Sequence, residues 1–165
     1  MFRKKEIKKV RNIGNKKVSK RLANVAEKAA TKRLILITGK SKNRKKLIRF
    51  LGKKLKRVVY RVDFSVLVSK DIRETEKNLD KLFAQAEVQN WILFLDEADA
   101  LFSKRTDVSD SDDRYNNQDT AYLLEKIEKS KGLVVLSANL RDHIDPAFLR
   151  RLQVTIDTEN EDEED

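Results

Sequence analysis

Two neighbouring carboxylates, Asp96 and Glu97, end a short apolar run over residues 91–95. A run of that length is typical of a buried strand rather than a helix. Open α/β sheets bind ligands in the crevice beyond the carboxyl ends of their strands, and carboxylates there can hold Mg²⁺ and polarise a water molecule. A solvated acidic turn is the simpler alternative. It is weakened because Asp99 adds a third acid and the chain then returns to apolar residues.

A second group of reactive side chains follows the apolar run over residues 34–38, where Gly39 opens the basic segment GKSKNRKK. A strand, a glycine, a turn and a helix form the context in which a loop binds phosphate. Five positive charges stand near the start of the predicted helix, at Lys40, Lys42, Arg44, Lys45 and Lys46. The segment therefore predicts attraction of an anion at a helix N-terminus.

The pattern of apolar residues predicts the elements that position these groups. Short apolar runs predict five strands, over residues 34–38, 58–62, 91–95, 133–137 and 154–156. Helices are predicted over 16–30, after Gly39, after Asp71 with Glu74 as its capping-box partner, over 120–131 with Gly132 as the C′ residue, and from Asp145 with Pro146. Alternating strands and helices predict an α/β fold with a mostly parallel five-stranded sheet.

The distribution of charge is uneven. Residues 1–61 carry 24 Lys and Arg side chains against two acids, a net +22, and residues 62–165 carry 13 against 25, a net −12. The division predicts either an acidic partner of the front half, with nucleic acid as one possibility, or contact between opposite halves of neighbouring copies. Ordinary solvated surface is an equally simple explanation.

Composition predicts a basic arm over residues 1–14, a core over residues 15–156 and a disordered acidic tail over residues 157–165. Because there is no cysteine, disulfides, thiolate metal sites and a cysteine nucleophile are excluded. No apolar run is long enough to span a membrane, and the first residues lack the apolar region of a signal peptide. We therefore expect a cytoplasmic protein.

Residues 33–156 resemble the core of an AAA+ ATPase, through the segments SKDIRETEKNLDKLF, ILFLDEADALFSKR, DRYNNQDTAYLLEKIE and GLVVLSANLRDHIDPAFLRR. They are similar in particular to the single-module AAA ATPases found with contractile, phage-tail-like injection systems. The resemblance implies a three-layer P-loop NTPase fold, with ATP and Mg²⁺ as cofactors. It also implies ring-type homo- or hetero-oligomers and a protein partner or substrate.

The resemblance implies a role for each matching residue. Asp96 would be the Mg²⁺ ligand of the Walker B element, and Glu97 would be the base that orients the attacking water. Asn139 would be the sensor 1 residue. Arg150 and Arg151 would be arginine fingers, which stabilise transition-state charge in a neighbouring subunit. Taken singly, Asn139 fits a turn and the arginines fit a basic helix end, but their order and spacing favour the family roles.

The Walker A loop departs from the family pattern of GxxxxGK followed by Ser or Thr. Only Gly39 and Lys45 match, and with Asp96 they are the predicted cofactor-binding residues. Arg44 replaces the glycine that lets backbone N–H groups close on the phosphates. Lys46 replaces the hydroxyl that binds Mg²⁺, and an ammonium group cannot coordinate a metal. Its charge could instead stand where the metal's charge would be.

Further departures concern the pore loop and the lid. Asp71 and Arg73 stand where the family's pore loop has an aromatic residue and glycine, and the chain after Arg151 leaves no room for a helical lid. The first hypothesis is therefore an AAA+ module with weak or no ATP hydrolysis that acts as an assembly or regulatory subunit. A working AAA+ ATPase that remodels protein complexes is the second. A nucleic-acid-binding module that uses residues 1–61 is the third.

Overall fold

The computed structural model describes residues 16–102, 117–139 and 144–158. Its five strands are β1 Leu34–Thr38, β2 Val59–Val62, β3 Ile92–Leu95, β4 Leu133–Ala138 and β5 Val154–Asp157. They form one sheet in the order β2-β3-β4-β1-β5, and every neighbouring pair is parallel. The predicted α/β fold with a five-stranded sheet is confirmed, and the sheet is wholly rather than mostly parallel.

The described residues form seven helices around this sheet. They are α1 Lys16–Thr31, α2 Ser41–Lys54, α3 Phe64–Leu67, α4 Ile72–Gln89, α5 Ala98–Phe102, α6 Asn117–Lys129 and α7 Pro146–Leu149. The short helix α3 was not predicted, because four residues are too few to show a helical apolar period. None of the helices in these ranges is long and apolar enough to cross a membrane.

Two hydrophobic cores lie on opposite faces of the sheet. Leu36 of β1 belongs to one core together with apolar residues of α4 and α6, whereas its neighbour Ile37 belongs to the other with residues of α1 and α2. This alternation follows from the two-residue period of a strand. Both side chains are fully buried, and each such burial stabilises the fold by about 1.5–3 kcal/mol. The sheet is thus the middle of three layers.

The capping of α4 differs from the predicted capping box. The Asp71 carboxylate accepts a hydrogen bond from the backbone N–H of Arg73 at 3.0 Å, as expected of an N-cap. Glu74, however, accepts from the hydroxyl of Ser69 at 2.6 Å, and that hydroxyl oxygen accepts from the N–H of Asp71 at 3.3 Å. The prediction of a direct bond from Glu74 to the backbone of Asp71 was wrong because Ser69 stands between them.

The end of α6 also differs from the prediction. The helix ends at Lys129, and Gly132 donates its N–H to the hydroxyl of Ser130 at 3.1 Å. Among the described glycines only Gly39 has a positive φ. Gly132 is therefore not a left-handed C′ residue, and the serine hydroxyl rather than glycine geometry shapes this turn.

The structure describes the first two residues of the predicted tail but none of the predicted arm. The arm over residues 1–14 lies outside the described residues, as do residues 159–165 of the tail. Asp157 ends β5, and Thr158 is fully buried. The N–H and the hydroxyl of Thr158 both donate to the carbonyl of Thr38, at 3.0 and 2.7 Å, and its own carbonyl accepts from Asn43 at 3.2 Å. Asp157 and Thr158, the first two residues of the predicted tail, therefore belong to the folded part of the chain.

Candidate functional site

Three predicted site residues follow the carboxyl ends of adjacent strands. Gly39 follows β1, Asp96 follows β3 and Asn139 follows β4. Thr38 and Ala138 pair across β1 and β4, so the residues after them are neighbours, and the Gly39 N–H donates to the Asn139 carbonyl at 3.2 Å. Gly39 has a φ of 107°, which a side chain would strain. The sheet thus brings the three residues together at the carboxyl ends of its central strands.

Arg44 joins the ends of these three strands. It lies in the first turn of α2, and only 3% of the residue is exposed. Its Nη1 donates to the carbonyl of Gly39 at 2.5 Å and to Oδ1 of Asn139 at 2.7 Å. Its Nη2 lies 3.7 Å from Oδ1 of Asp96. The residue predicted to replace the Walker A glycine therefore lies between Asp96, the predicted Walker B acid, and the amide of Asn139, the predicted sensor 1 residue.

The Asp96 carboxylate is surrounded by donors from the protein itself. Its Oδ1 accepts from the hydroxyl of Ser137 at 2.5 Å and from the N–H of Glu97 at 3.1 Å. Its Oδ2 lies 3.2 Å from a guanidinium nitrogen of Arg61, which is 61% exposed, while the Asp96 side chain is 7% exposed. Both oxygens are therefore engaged, and positive charge reaches them from two arginines.

Glu97 and Asp99 follow Asp96 after β3, Glu97 in the turn and Asp99 in the short helix α5. Glu97 is exposed and has a φ of 59°, in the left-handed region that a non-glycine residue rarely occupies. A carboxylate of Asp99 accepts from the N–H of Asn139 at 3.5 Å, the limit of a hydrogen bond. The turn after β3 is thus sharp and strained at the position of the predicted base, and strain of this kind is concentrated at functional sites.

Lys45 and Lys46 lie on the exposed side of α2. Among the described residues, the cations in contact with Asp96 are Arg44 and Arg61. The expectation that the Lys46 charge would stand where a metal's charge would be is therefore wrong. In a helix, positions 44 and 46 point in different directions, and only position 44 faces the sheet edge.

The predicted arginine fingers lie at a different place. The Nε of Arg150 donates to the carbonyl of Pro146 at 3.3 Å, at the end of α7. A guanidinium nitrogen of Arg151 lies 3.1 Å from a carboxylate oxygen of Glu128 on α6, and both side chains are about half exposed. In the ranges the structure covers, their polar contacts are with α6 and α7 rather than with the strand ends. Both arginines remain exposed enough to reach a neighbouring molecule.

A divalent cation does not fit the contacts around Asp96. Mg²⁺ demands a nearly octahedral shell of oxygen ligands, but both oxygens of Asp96 face hydroxyl, N–H or guanidinium donors. Within the described residues no group of three or more acidic or histidine side chains could hold a metal ion. Arg44 would have to leave before a cation could approach Asp96 without repulsion.

The residues around Asp96 were only partly anticipated. Ser137 and Arg61 were not predicted as site residues, and Arg44 was expected to replace the loop glycine and to attract an anion, not to contact Asp96 and Asn139. The available signals were weak: Ser137 ends a predicted strand just before Asn139, and Arg61 interrupts an apolar run. Because a parallel sheet aligns its carboxyl ends, polar residues that follow separate strands can meet at one site.

The sequence model of the ATPase family associated with various cellular activities (AAA) matches residues 38–160. The chain belongs to the AAA family. The match runs from the last residue of β1 through β5, so the family predicted from the sequence is confirmed along with its fold. AAA ATPase domains bind nucleotide, typically with Mg²⁺, and AAA ATPases commonly form oligomers.

Three AAA relatives illustrate the similarity. The chain is 39% identical over 95 residues to the proteasome-activating nucleotidase of Aeropyrum pernix. It is 31% identical over 93 residues to an uncharacterised AAA family ATPase of Sinorhizobium fredii, and 36% identical over 94 residues to the ATPase family gene 2 protein of Schizosaccharomyces pombe. These matches cover 54%, 56% and 56% of this chain, but 23%, 28% and 12% of the relatives. The chain therefore spans less than a third of each relative.

Proposed function

We propose that this AAA chain is a module with weak or no ATP hydrolysis that acts as an assembly or regulatory subunit. The observation that carries the proposal is the position of Arg44, whose guanidinium contacts Gly39, Asn139 and Asp96 together. In AAA ATPases the groups corresponding to these three serve the phosphates, the attacking water and the metal. Here they are bound to one another through a side chain of the same protein.

Hydrolysis requires that these groups be available to the nucleotide. The Asn139 amide oxygen already accepts a hydrogen bond from Arg44, so the amide is held toward Arg44 and only its remaining lone pair and its N–H groups could contact a water. The carboxylate of Asp96 is engaged on both oxygens. Phosphoryl transfer depends almost entirely on positioning and electrostatic stabilisation, and a site whose members point at Arg44 supplies neither. We therefore expect Gly39, Lys45 and Asp96 to bind Mg·ATP weakly.

The assembly role has separate support. Arg150 and Arg151 lie at the exposed end of α7, where they are accessible to a second subunit, and the front and rear of the chain carry opposite net charge. If the basic front of one copy meets the acidic rear of the next, the contact joins two different surfaces. Contacts of this heterologous kind close into rings or continue as filaments. One similar protein is named a proteasome-activating nucleotidase, which favours a protein as the partner of this module.

The test of inactivity is a comparison of ATP turnover with affinity for ATP and ADP, each measured with and without Mg²⁺. We expect no turnover above background and weak affinity to which Mg²⁺ adds nothing. Glu97→Gln is the control, because it removes only water activation and leaves nucleotide affinity intact. Turnover in the wild type that disappears in Glu97→Gln would overturn the proposal.

The test of assembly is sedimentation at low and high salt, with a variant in which Arg150 and Arg151 are both alanine. We expect weak, salt-sensitive association of the wild type, because exposed ion pairs contribute about 0–1 kcal/mol each, and less association of the variant. A monomer under every condition would contradict a role for these arginines between subunits. Selective binding of DNA or RNA by residues 1–61 at physiological salt would favour a nucleic-acid-binding module instead.

A working ATPase is the second candidate, and one observation favours it. Glu97 is held with a φ of 59° on the turn after β3 and remains exposed. Backbone strain next to Asp96 supports a role of Glu97 as the catalytic base, because strain of this kind is concentrated at functional sites. For this candidate Arg44 would have to move when Mg·ATP binds, so the same turnover measurement separates the two functions.

A further inference from the structure

We propose that Arg44 takes the place of a divalent cation at Asp96, so that this AAA site is organised without metal. The inference deepens the proposed function and rests on it. It concerns how the strand ends are held together, and it makes Arg44 a positioning residue rather than a damaged part of a phosphate loop. A damaged loop would only lose contacts, whereas here one side chain supplies contacts to three strands.

The charges at Asp96 support this replacement. Arg44 approaches Oδ1 at 3.7 Å and Arg61 approaches Oδ2 at 3.2 Å. Two guanidinium groups carry together the charge that a divalent ion would carry. Arginine is suited to this because its planar group stays protonated and offers several donors in fixed directions. The carboxylate is thus neutralised from both sides by the protein.

The burial of Arg44 shows that the arrangement is specific. A guanidinium that is only 3% exposed is costly unless it is paired and hydrogen-bonded. Its Nη1 has two acceptors, Gly39 and Asn139, and its Nη2 faces Asp96. Its Nε is buried without a hydrogen-bond partner in the structure. The contacts that hold the side chain at the strand ends are therefore those of its terminal nitrogens.

The contacts of Arg44 also explain what holds Asn139 in position. The Asn139 side chain is exposed at the sheet edge, yet its Oδ1 is bonded to Arg44 at 2.7 Å and its backbone joins Gly39. Arg44 thus links the turn after β4 to the loop after β1. A metal ion and Arg44 would occupy this place as alternatives, because their positive charges repel each other at such short range.

The experiment uses Mn²⁺ alone as a paramagnetic probe, detected by electron paramagnetic resonance, on the full chain without nucleotide. We expect no saturable Mn²⁺ binding to the wild type. Arg44→Met should bind Mn²⁺ saturably, with a Kd at least about tenfold below the highest Mn²⁺ concentration at which the wild type shows no saturation, and adding Asp96→Asn to that variant should abolish this binding. Arg49→Met removes an exposed arginine of the same helix and should behave like the wild type, which controls for net charge.

A second readout is thermal unfolding with and without Mg²⁺. At a tenfold excess over its Kd, Mg²⁺ should raise the Tm of Arg44→Met by about 3–6 °C and leave the wild type unchanged. If Arg44→Met does not fold, Arg44→Gln retains most of the size without the charge. Saturable Mn²⁺ binding by the wild type would overturn the inference without any variant.

Two results would overturn the inference. One is saturable Mn²⁺ binding to the wild type that is lost in Asp96→Asn. The other is a folded Arg44→Met or Arg44→Gln chain that gains no affinity for Mn²⁺. Failure of the proposed function gives a different result: ATP turnover by a wild type that still binds no Mn²⁺ would contradict inactivity while supporting the replacement of the metal by Arg44.

Discussion

Two clusters in this molecule each pair a basic side chain with an aspartate, but one cluster is buried and the other is exposed to solvent. Arg44 and Asp96 are 3% and 7% exposed, whereas Lys126 and Asp80 are 27% and 49% exposed. Removing one member of a buried pair costs about 3–5 kcal/mol, because an uncompensated charge stays behind. An exposed pair contributes about 0–1 kcal/mol. The first cluster therefore determines the arrangement of the strand ends, and the second only supports the packing of two helices.

The exposed cluster joins α4 to α6. Lys126 and the Tyr122 hydroxyl both donate to Oδ1 of Asp80, the latter at 3.0 Å, and the Lys126 ammonium lies 5.3 Å from the centre of the Tyr122 ring. The hydrogen bond from Lys126 lowers the pKa of Asp80 below its ordinary value, and the same bond raises the pKa of Lys126. The ion pair is therefore lost only in acid, where Asp80 gains a proton, or in strong base, where Lys126 loses one.

The largest expected effect is that of Arg44→Ala on stability. The change leaves Asn139 and the Gly39 carbonyl without their donor, and Asp96 with Arg61 alone as its cation. We expect a loss of about 2–4 kcal/mol in the free energy of unfolding, measured in urea. Arg49→Ala, on the exposed face of the same helix, should stay within about 0.5 kcal/mol of the wild type. If Arg44→Ala and Arg49→Ala lost equal free energy of unfolding, the distinction between the buried and the exposed charged groups would be contradicted.

An intermediate effect is expected from the paired change Arg44→Gly and Lys46→Thr. It removes the side chain between the strand ends and returns the flexible backbone and the hydroxyl of the family pattern. We expect ATP affinity in the presence of Mg²⁺ to rise by about tenfold, or about 1.4 kcal/mol. Lys46→Thr alone is the control and should show no gain, because Arg44 still occupies the site. Titration calorimetry would measure all three chains, and a gain in the control would point to Lys46 as the obstacle.

The smallest effect is expected from Asp80→Asn. At neutral pH it should cost at most about 1 kcal/mol, because the pair is exposed. The folded-state pKa of Asp80 is lowered, so its contribution is complete above the ordinary value of 3.8 and is lost as the pH falls through the lowered pKa. Unfolding measured between pH 7 and pH 2 should therefore bring variant and wild type together at the acid end. A difference that persists at pH 2 would contradict an electrostatic origin, and Lys126→Met completes the double-mutant cycle.

The strands could be predicted because each contains a short apolar run, and the three central strands, β3, β4 and β1, are buried at every position. Leu34–Thr38 was predicted with its observed limits, and the run before Asp96 was one residue too long, because Trp91 donates its N–H to Ala86 at the end of α4. The parallel arrangement then placed Gly39, Asp96 and Asn139 at one edge. The strands and their parallel arrangement needed only periodicity and the rules of sheet topology, whereas Asn139 was chosen through the resemblance to AAA+ ATPases.

The part played by Arg44 could not be predicted, since it depends on the reach of a long side chain across three strand ends. In the sequence, Arg44 and Asn139 are 95 residues apart, and no local pattern relates them. A basic residue near the start of a helix normally points to solvent, which is where Lys45 and Lys46 lie. Only the packing of α2 on the sheet decides which of the three adjacent basic residues is directed inwards.

Thr158 is a residue through which a mechanical load on the C-terminal side of β5 would enter the fold. Its N–H and hydroxyl are bonded to Thr38, and its carbonyl is bonded to Asn43. A pull on the chain beyond residue 158 would load these bonds first. The load would pass into Thr38, next to Gly39, and into Asn43, next to Arg44. A partner that held the C-terminal side of β5 would thereby strain or brace the turn that carries Arg44 without touching Asp96.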